Sequence, residues 1–202
     1  YYTYAKKLIQ VAHTDDLPVF IIGNGLGATI AARALYRNKI ECAGFIMVSP
    51  WLHLKLEPGK LSKALSSFSA ITSNVKLNHD IKYNTLTRNF EVYGEMKDET
   101  PFNTVVTVKW YRELQQLLKM LKDPEVKIPT IPVLLMTGGR DKITDIVASK
   151  QWLVQQNLKN FQYREWTDSL NSLFFELERE EVFLLTKDFM NNSLRSLGYI
   201  IK

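Results

Sequence analysis

The sequence predicts an α/β fold: a mostly parallel sheet with helices on both faces, interrupted by a helical insertion. Three observations carry this. Short apolar runs rich in β-branched and aromatic residues alternate with helix-periodic stretches, as in strands joined by crossover helices. The first such strand leads through closely spaced glycines into an alanine-rich segment, Gly23 to Leu35. Two fifths of the chain, residues 51–130 between the second and third strands, offers helical pieces but no convincing buried strand.

Taken in order, residues 1–12 read as a helix with Tyr4, Leu8 and Val11 near one face, broken by Asp15-Asp16-Leu17-Pro18. Residues 19–22 (VFII) suit a buried strand. Gly23, Gly25 and Gly27 let the backbone turn sharply, and 28–36 are small or strong helix formers able to pack closely on a sheet. Residues 44–49 (GFIMVS) form a second buried strand that Pro50 stops. In the interval 51–130 the clearest element is a helix over 104–122, where Trp110, Leu114, Leu117, Leu118 and Leu121 share one face. An unstructured loop of this length is improbable inside a compact domain, so 51–130 is expected to be a helical cap or lid. Residues 132–137 (PVLLMT) give a strand leading into Gly138-Gly139-Arg140-Asp141, 146–156 a helix, 161–166 (FQYREW) a more polar strand, and 180–197 a helix with Val182, Leu185 and Phe189 on a shared face. The core is thus expected from 1–50 and 131–202.

Composition narrows the function classes. With 46% apolar and 23% charged residues the chain is an ordinary globular protein, and the net charge of +5 is spread without a basic block, so nucleic acid is not an expected partner. The single cysteine, Cys42, can form neither an internal disulfide nor a multi-cysteine metal site and is expected to act as a small buried apolar residue. Neither a metal nor a cofactor is expected. No apolar run approaches the roughly 20 residues that cross a bilayer. The start YYTYAKKLIQ lacks the form of a signal peptide. A soluble, cytoplasmic protein, with peripheral membrane contact left open, is the default expectation.

The glycine turn fits two patterns. One is the nucleophile elbow G-x-S-x-G, with Gly25 where the serine belongs; the other is the dinucleotide fingerprint G-x-G-x-x-G/A, met by Gly23, Gly25 and Ala28. A dinucleotide site also needs an acid at the end of the next strand to hold the ribose. That strand ends in Val48-Ser49-Pro50, and Glu41 precedes it rather than following it.

The rest of the chain resembles the α/β-hydrolases, in the branch of monoglyceride lipases and lysophospholipases that is grouped with serine aminopeptidases. PVFIIGNGLGATIAARAL is similar to that family's strand, elbow and helix; GFIMVSPWL to its next strand, which also ends in Ser-Pro; IPVLLMTGGRDKITD to its acid-bearing strand and loop; and REWTDSLNSLFFELEREEVF to the segment holding its histidine, followed by an acidic patch. The resemblance implies a partial α/β-hydrolase fold with Gly25 at the nucleophile position, Asp141 as the triad acid, Asn171 at the histidine position and the Leu26 N–H as one oxyanion donor. The family's earlier strands and its His-Gly oxyanion loop have no counterpart in the 18 residues before the elbow strand. The resemblance therefore implies a truncated chain whose first strand has a bare outer edge, covered by more chain, by a partner or by self-association.

Acyl transfer needs an oxygen nucleophile, an imidazole and an orienting carboxylate. Gly25 has no side chain, and the amide of Asn171 takes no proton near neutral pH. His13, His53 and His79 lie outside the expected segment and read as surface or lid residues. Ser169, Ser172 and Thr29 are the nearest candidates for a displaced nucleophile. Three functions remain in view: an inactive relative that binds an acyl lipid or a protein partner, which the sequence favours; an active serine hydrolase with a displaced nucleophile; and a dinucleotide-binding module through GNGLGA.

Overall fold

A computed structural model of the chain describes residues 2–13, 17–38, 40, 42–55, 75–79, 81–92 and 105–200. The elements are α1 (Tyr2–Ala12), β1 (Phe20–Asn24), α2 (Leu26–Asn38), β2 (Gly44–Val48), β3 (Lys76–Asn78), α3 (Tyr83–Leu86), β4 (Val105–Thr107), α4 (Val108–Leu121), β5 (Val133–Gly138), α5 (Ile146–Gln155), β6 (Phe161–Trp166), a 3-10 turn at Leu173–Phe175, and α6 (Arg179–Ser196). The expectations for Asp15, Asp16, Glu41, Thr104 and the helical pieces within 56–74 and 93–104 lie outside the described residues.

The four strands expected from the sequence form one parallel sheet in the order β1-β2-β5-β6. Every residue of β2 and β5 is buried, so these strands are continuous apolar runs rather than alternating ones. Their side chains still alternate between faces. Phe45, Met47, Val133 and Leu135 join Ala28, Ala32 and Leu35 of α2 and Trp152 and Leu153 of α5 in one cluster. Ile46, Val48, Leu134 and Met136 join Val182 and Phe189 of α6 in the other. The period-2 geometry of a strand thus feeds two separate cores, one on each sheet face. The polar β6 is an edge strand with Phe161 45% exposed, and β1 is the opposite edge.

Two local expectations change. In α1, Tyr4, Leu8 and Val11 are exposed and Ile9 is buried, and among the described residues the helix packs chiefly against its neighbour α2. The 51–130 segment contains an antiparallel pair, β3 with β4, that was read as helix and turn; its β4 residues Val105–Thr107 are exposed to half-buried. Three-residue strands in a half-exposed pair carry too little periodicity to be seen in the sequence. They also shorten the expected helix: α4 begins at Val108 because the Thr107 hydroxyl caps it, accepting from the Trp110 N–H at 3.1 Å.

The apolar face of α4 divides along its length. Leu117 and Leu121 enter the sheet-face core beside α2, whereas Trp110 and Leu114 line two cavities described below. Cys42 is half-buried, and burial pushes its thiol up to about 11, consistent with an inert packing role.

Candidate functional site

The site assembles where the carboxyl ends of β1, β2, β5 and β6 meet. Ile22 and Gly23 end the apolar part of β1, and the chain turns at Gly25 with φ +54°, the left-handed region. Of the three glycines of the turn, only Gly25 needs that conformation. Gly23 is required for space: a Cβ there would lie 2.4 Å from the Ala28 Cα, so glycine lets α2 approach the strand. Gly27 opens on free space, with nothing within 4 Å of an added Cβ, which removes it from the set of turn-forming glycines. The apex is pinned by the Gly25 N–H donating to the Val48 carbonyl at 2.8 Å, and by the Thr29 hydroxyl donating to the Trp51 carbonyl at 3.0 Å. Leu26, the first residue of α2, follows directly, so its amide belongs to the helix's unpaired first turn.

Opposite the elbow, the loop after β5 presents Asp141, which is 3% exposed. Its Oδ1 accepts from the backbone N–H groups of Ile143 (2.7 Å) and Thr144 (3.0 Å), and its Oδ2 accepts from the Thr144 hydroxyl (2.5 Å) and the Asn171 side-chain amide (2.9 Å). Asn171, 4% exposed, therefore faces the acid with an N–H, as an orienting carboxylate would require of an imidazole, but brings no proton acceptor of comparable basicity. The Lys55 ammonium adds a bond to the Asp141 carbonyl at 2.8 Å, tying the 51–130 segment to the same loop.

Two devices set the Asn171 loop. The β5 end carries Gly138 and Gly139, where added Cβ atoms would fall 1.8 Å from the Leu170 carbonyl oxygen and 2.4 Å from that of Thr167. Their missing side chains let the 167–171 loop lie directly on the β5 turn, fixed by Arg140 N–H to Ser169 O at 3.0 Å. On the far side, Glu176, fully buried, accepts from Arg88 Nε (3.0 Å), the Arg88 backbone N–H (3.2 Å) and the Leu170 N–H (2.8 Å). Arg88 also grips Glu178, whose Oε2 takes the Ser169 hydroxyl at 3.0 Å. Burial pushes Glu178 upward, but the Arg88 and Ser169 hydrogen bonds win and hold it below the usual carboxylate range. Part of the stretch that reads as an acidic patch is thus an ion-pair clamp between 87–89 and 169–178.

The remaining candidates are occupied or out of reach. Thr29 and Ser169 spend their hydroxyls on Trp51 O and Glu178, and Ser172, 9% exposed, sits where its N–H bonds the Leu86 carbonyl. Ser49, at φ +43° beside the elbow, has an unbonded hydroxyl but is fully buried. His13 is exposed and His53 pairs with Asp145 at 3.5 Å. His79 lines a cavity, and its Nδ1 accepts the Ile81 N–H at 3.1 Å. Among the described residues no group of three or more metal-ligating side chains occurs, and no helix is long and apolar enough to cross a membrane.

Two cavities flank α4 at the elbow. One, about 480 Å³, is walled by Leu26, Ile30, Arg33, Lys109 and Leu117 among others; the smaller, about 50 Å³, by Trp51, Ile81, Tyr111 and Ile143; Trp110 and Leu114 border both. Trp51 is the residue sequence reading passes over. It appears within GFIMVSPWL without a role, yet a Cβ on Gly25 would meet its indole Nε1 at 3.1 Å.

This parallel sheet, with helices on both faces, is that of the α/β-hydrolase fold, and solved structures bear out the fold. The monoacylglycerol lipase of Paleococcus ferrophilus superposes with a TM-score of 0.81 at 18% identity, over 95% of this chain and 74% of that one. A soluble variant of monoglyceride lipase from Saccharomyces cerevisiae, in complex with a substrate analog, gives 0.81 at 15% identity, over 95% and 67%. Within that fold, the family model described as serine aminopeptidase, S33, matches residues 3–178, and the chain belongs to that family. It is 30% identical over 183 residues to phospholipase YtpA of Bacillus subtilis (strain 168), covering 90% of this chain and 71% of the relative. With the monoglyceride lipase of Rattus norvegicus it shares 25% identity over 151 residues, 70% of this chain but only 49% of that protein.

Proposed function

We propose that this chain is a catalytically inactive member of its family that binds an acyl lipid beneath a cap formed by 51–130. The observation that carries the reading is the pair of substitutions at the site: a glycine at the apex of the elbow, φ +54°, and an asparagine amide at 2.9 Å from the buried Asp141. In this reading Gly25 stands at the nucleophile position, Asn171 at the histidine position, Asp141 is the retained acid, and Leu26 N–H is the retained oxyanion donor. A glycine cannot form an acyl-enzyme, and an amide cannot take the proton that would activate one. The lipid part of the reading is supported by two cavities at the elbow, a small one with apolar walls and a larger one of mixed lining within the volume range of ligand pockets, and by the names of the relatives. The edge strand β1, with Ile22 49% exposed, is where a protein partner or a second copy would pair.

A displaced-nucleophile hydrolase is disfavoured because the nearby hydroxyls are bonded or buried and the His79 Nδ1 is taken by the Ile81 N–H. The dinucleotide reading finds no carboxylate at the end of β2. A fluorophosphonate probe separates the first two: no covalent adduct is expected, together with stoichiometric monoacylglycerol binding by calorimetry and no release of fatty acid. An adduct on any serine would overturn the inactive reading, and absent binding the lipid reading. Native mass of the same sample reports the β1 edge, since a single-chain mass with no bound partner counts against pairing there.

A further inference from the structure

We propose that the lipid held by this chain is a single-chain anion, a fatty-acid carboxylate or an alkyl phosphate, with its head drawn by Arg33 and Lys109 and its chain lying on Leu114 and Leu117. This rests on the lipid-binding reading above and adds the class of lipid. The head lies away from the glycine turn, since Arg33 stands two turns along α2, about 10 Å beyond Leu26.

The cavity of about 480 Å³ lies between α2 and α4, with Thr3 of α1 at its edge. Its wall changes character with depth. Thr3, Lys109 and Glu113 are exposed, so the mouth is polar and open to solvent, whereas Leu114 and Leu117 are buried and form an apolar floor. Helical periodicity builds this gradient. On α4, Trp110, Leu114 and Leu117 recur at i, i+4 and i+7, while on α2 the same spacing brings Leu26, Ile30 and Arg33 to the same space. A small hydrophilic ligand would leave the floor unfilled, and a hydrocarbon would leave the charged mouth unused. An amphiphile with one polar end suits both.

The sign of that end follows from the charges at hand. Among the described residues of the wall, Arg33 and Lys109 are basic and Glu113 is acidic, which leaves the cavity net positive. Lys109 and Glu113 are one turn apart on α4, yet among the described residues no hydrogen bond or ion pair engages the Lys109 ammonium. Arg33 already interacts within the protein, but the forked N–H donors of a guanidinium serve more than one acceptor and match an anion with two oxygens. The smaller cavity shares Trp110 and Leu114 with the larger one and has neither Lys nor Arg in its described wall, so it takes chain rather than head. A neutral monoacylglycerol reaches the same floor without a partner for the charge at the mouth.

The test is calorimetry near neutral pH, below the micellar concentration, with dodecanoate, dodecyl phosphate, 1-monododecanoylglycerol and dodecyltrimethylammonium, which share a twelve-carbon chain and differ in the head. The tighter of the two anions is expected to bind about tenfold more strongly than the neutral lipid, the worth of one charge-assisted hydrogen bond, and which anion it is tells carboxylate from phosphate. The cation should bind more weakly than the neutral lipid. Raising the salt from about 0.02 to 0.3 M should shrink the anion preference several-fold, as it does for charges at an open mouth. Arg33→Gln and Lys109→Gln should each lower anion affinity about threefold or more and leave monoacylglycerol within about twofold. Glu113→Gln removes a repelling carboxylate and should raise anion affinity about twofold, a gain that a damaged fold would not produce. Anions bound no more tightly than monoacylglycerol, or an anion preference that all three substitutions leave unchanged, overturn the inference while lipid binding stands. If neither the anions nor monoacylglycerol bind, the lipid reading itself fails and this inference with it.

Discussion

Replacing Arg88 by alanine is expected to cost about 3–5 kcal/mol of folding stability, the range for removing one partner of a buried ion pair. Glu176 is fully buried, and Arg88 Nε at 3.0 Å is its only cationic contact in the described structure. Without the guanidinium, the carboxylate keeps the backbone N–H groups of Arg88 and Leu170 but no countercharge. Removing the side chain also frees Glu178 and the Ser169 hydroxyl from the clamp that holds the 169–172 loop. The pH dependence has a definite sign. In the wild type, Glu178 is held low, so its contribution is present above the unfolded value and is lost only as pH falls through the depressed one. Urea unfolding at pH 4, 5.5 and 7 measures both effects. Arg88→Lys keeps the charge without the fork that spans two carboxylates and should fall between. A loss below about 1 kcal/mol at pH 7 for the alanine variant would mean the clamp is ornamental to folding.

Gly138→Ala is expected to be at least as severe, about 4 kcal/mol or failure to fold, by overpacking against backbone that has no rotamer to give. The new methyl would lie 1.8 Å from the Leu170 carbonyl oxygen and 2.5 Å from that of Ser169, so the loop must lift off the β5 turn. Lifting it separates Asn171 from Asp141, which now sit 2.9 Å apart across that contact. Gly27→Ala supplies the control of opposite sign. Its methyl meets nothing, and alanine is the better helix former by up to about 1 kcal/mol, so that variant should melt at or above the wild-type temperature. Calorimetric melting of the two variants side by side checks the pair, and equal effects would undo the explanation from contact geometry.

How much of this was legible in the sequence depends on whether the signal is local. The four sheet strands were, since each is a short apolar run bounded by turn residues, and the course of α5 and α6 followed from helical periodicity. Val182 and Phe189 land in the core as their spacing demands. The three-residue β3 and β4 were too short for any period to register. For α1 the periodicity grouped Tyr4, Leu8 and Val11 on one face, which the structure leaves exposed, because periodicity reports a face, not what covers it. For α4 the apolar stripe was correctly placed, but its division between core and cavity depends on where α2 and the β5 loop stand. The burial of Glu176 within the acidic stretch was not legible, because its partner Arg88 is 88 positions away.

Pattern by itself determined the class of fold and the glycine turn, and the resemblance singled out Gly25, Asp141 and Asn171, because each is a matter of residue identity within a short window. Tertiary structure alone decided that Asn171 bonds Asp141, that Gly138 is there to admit the 167–171 loop, and that the Trp51 indole packs against Gly25. Those contacts join segments distant in sequence, and they are fixed by how closely two backbones can approach, which no single window of residues encodes.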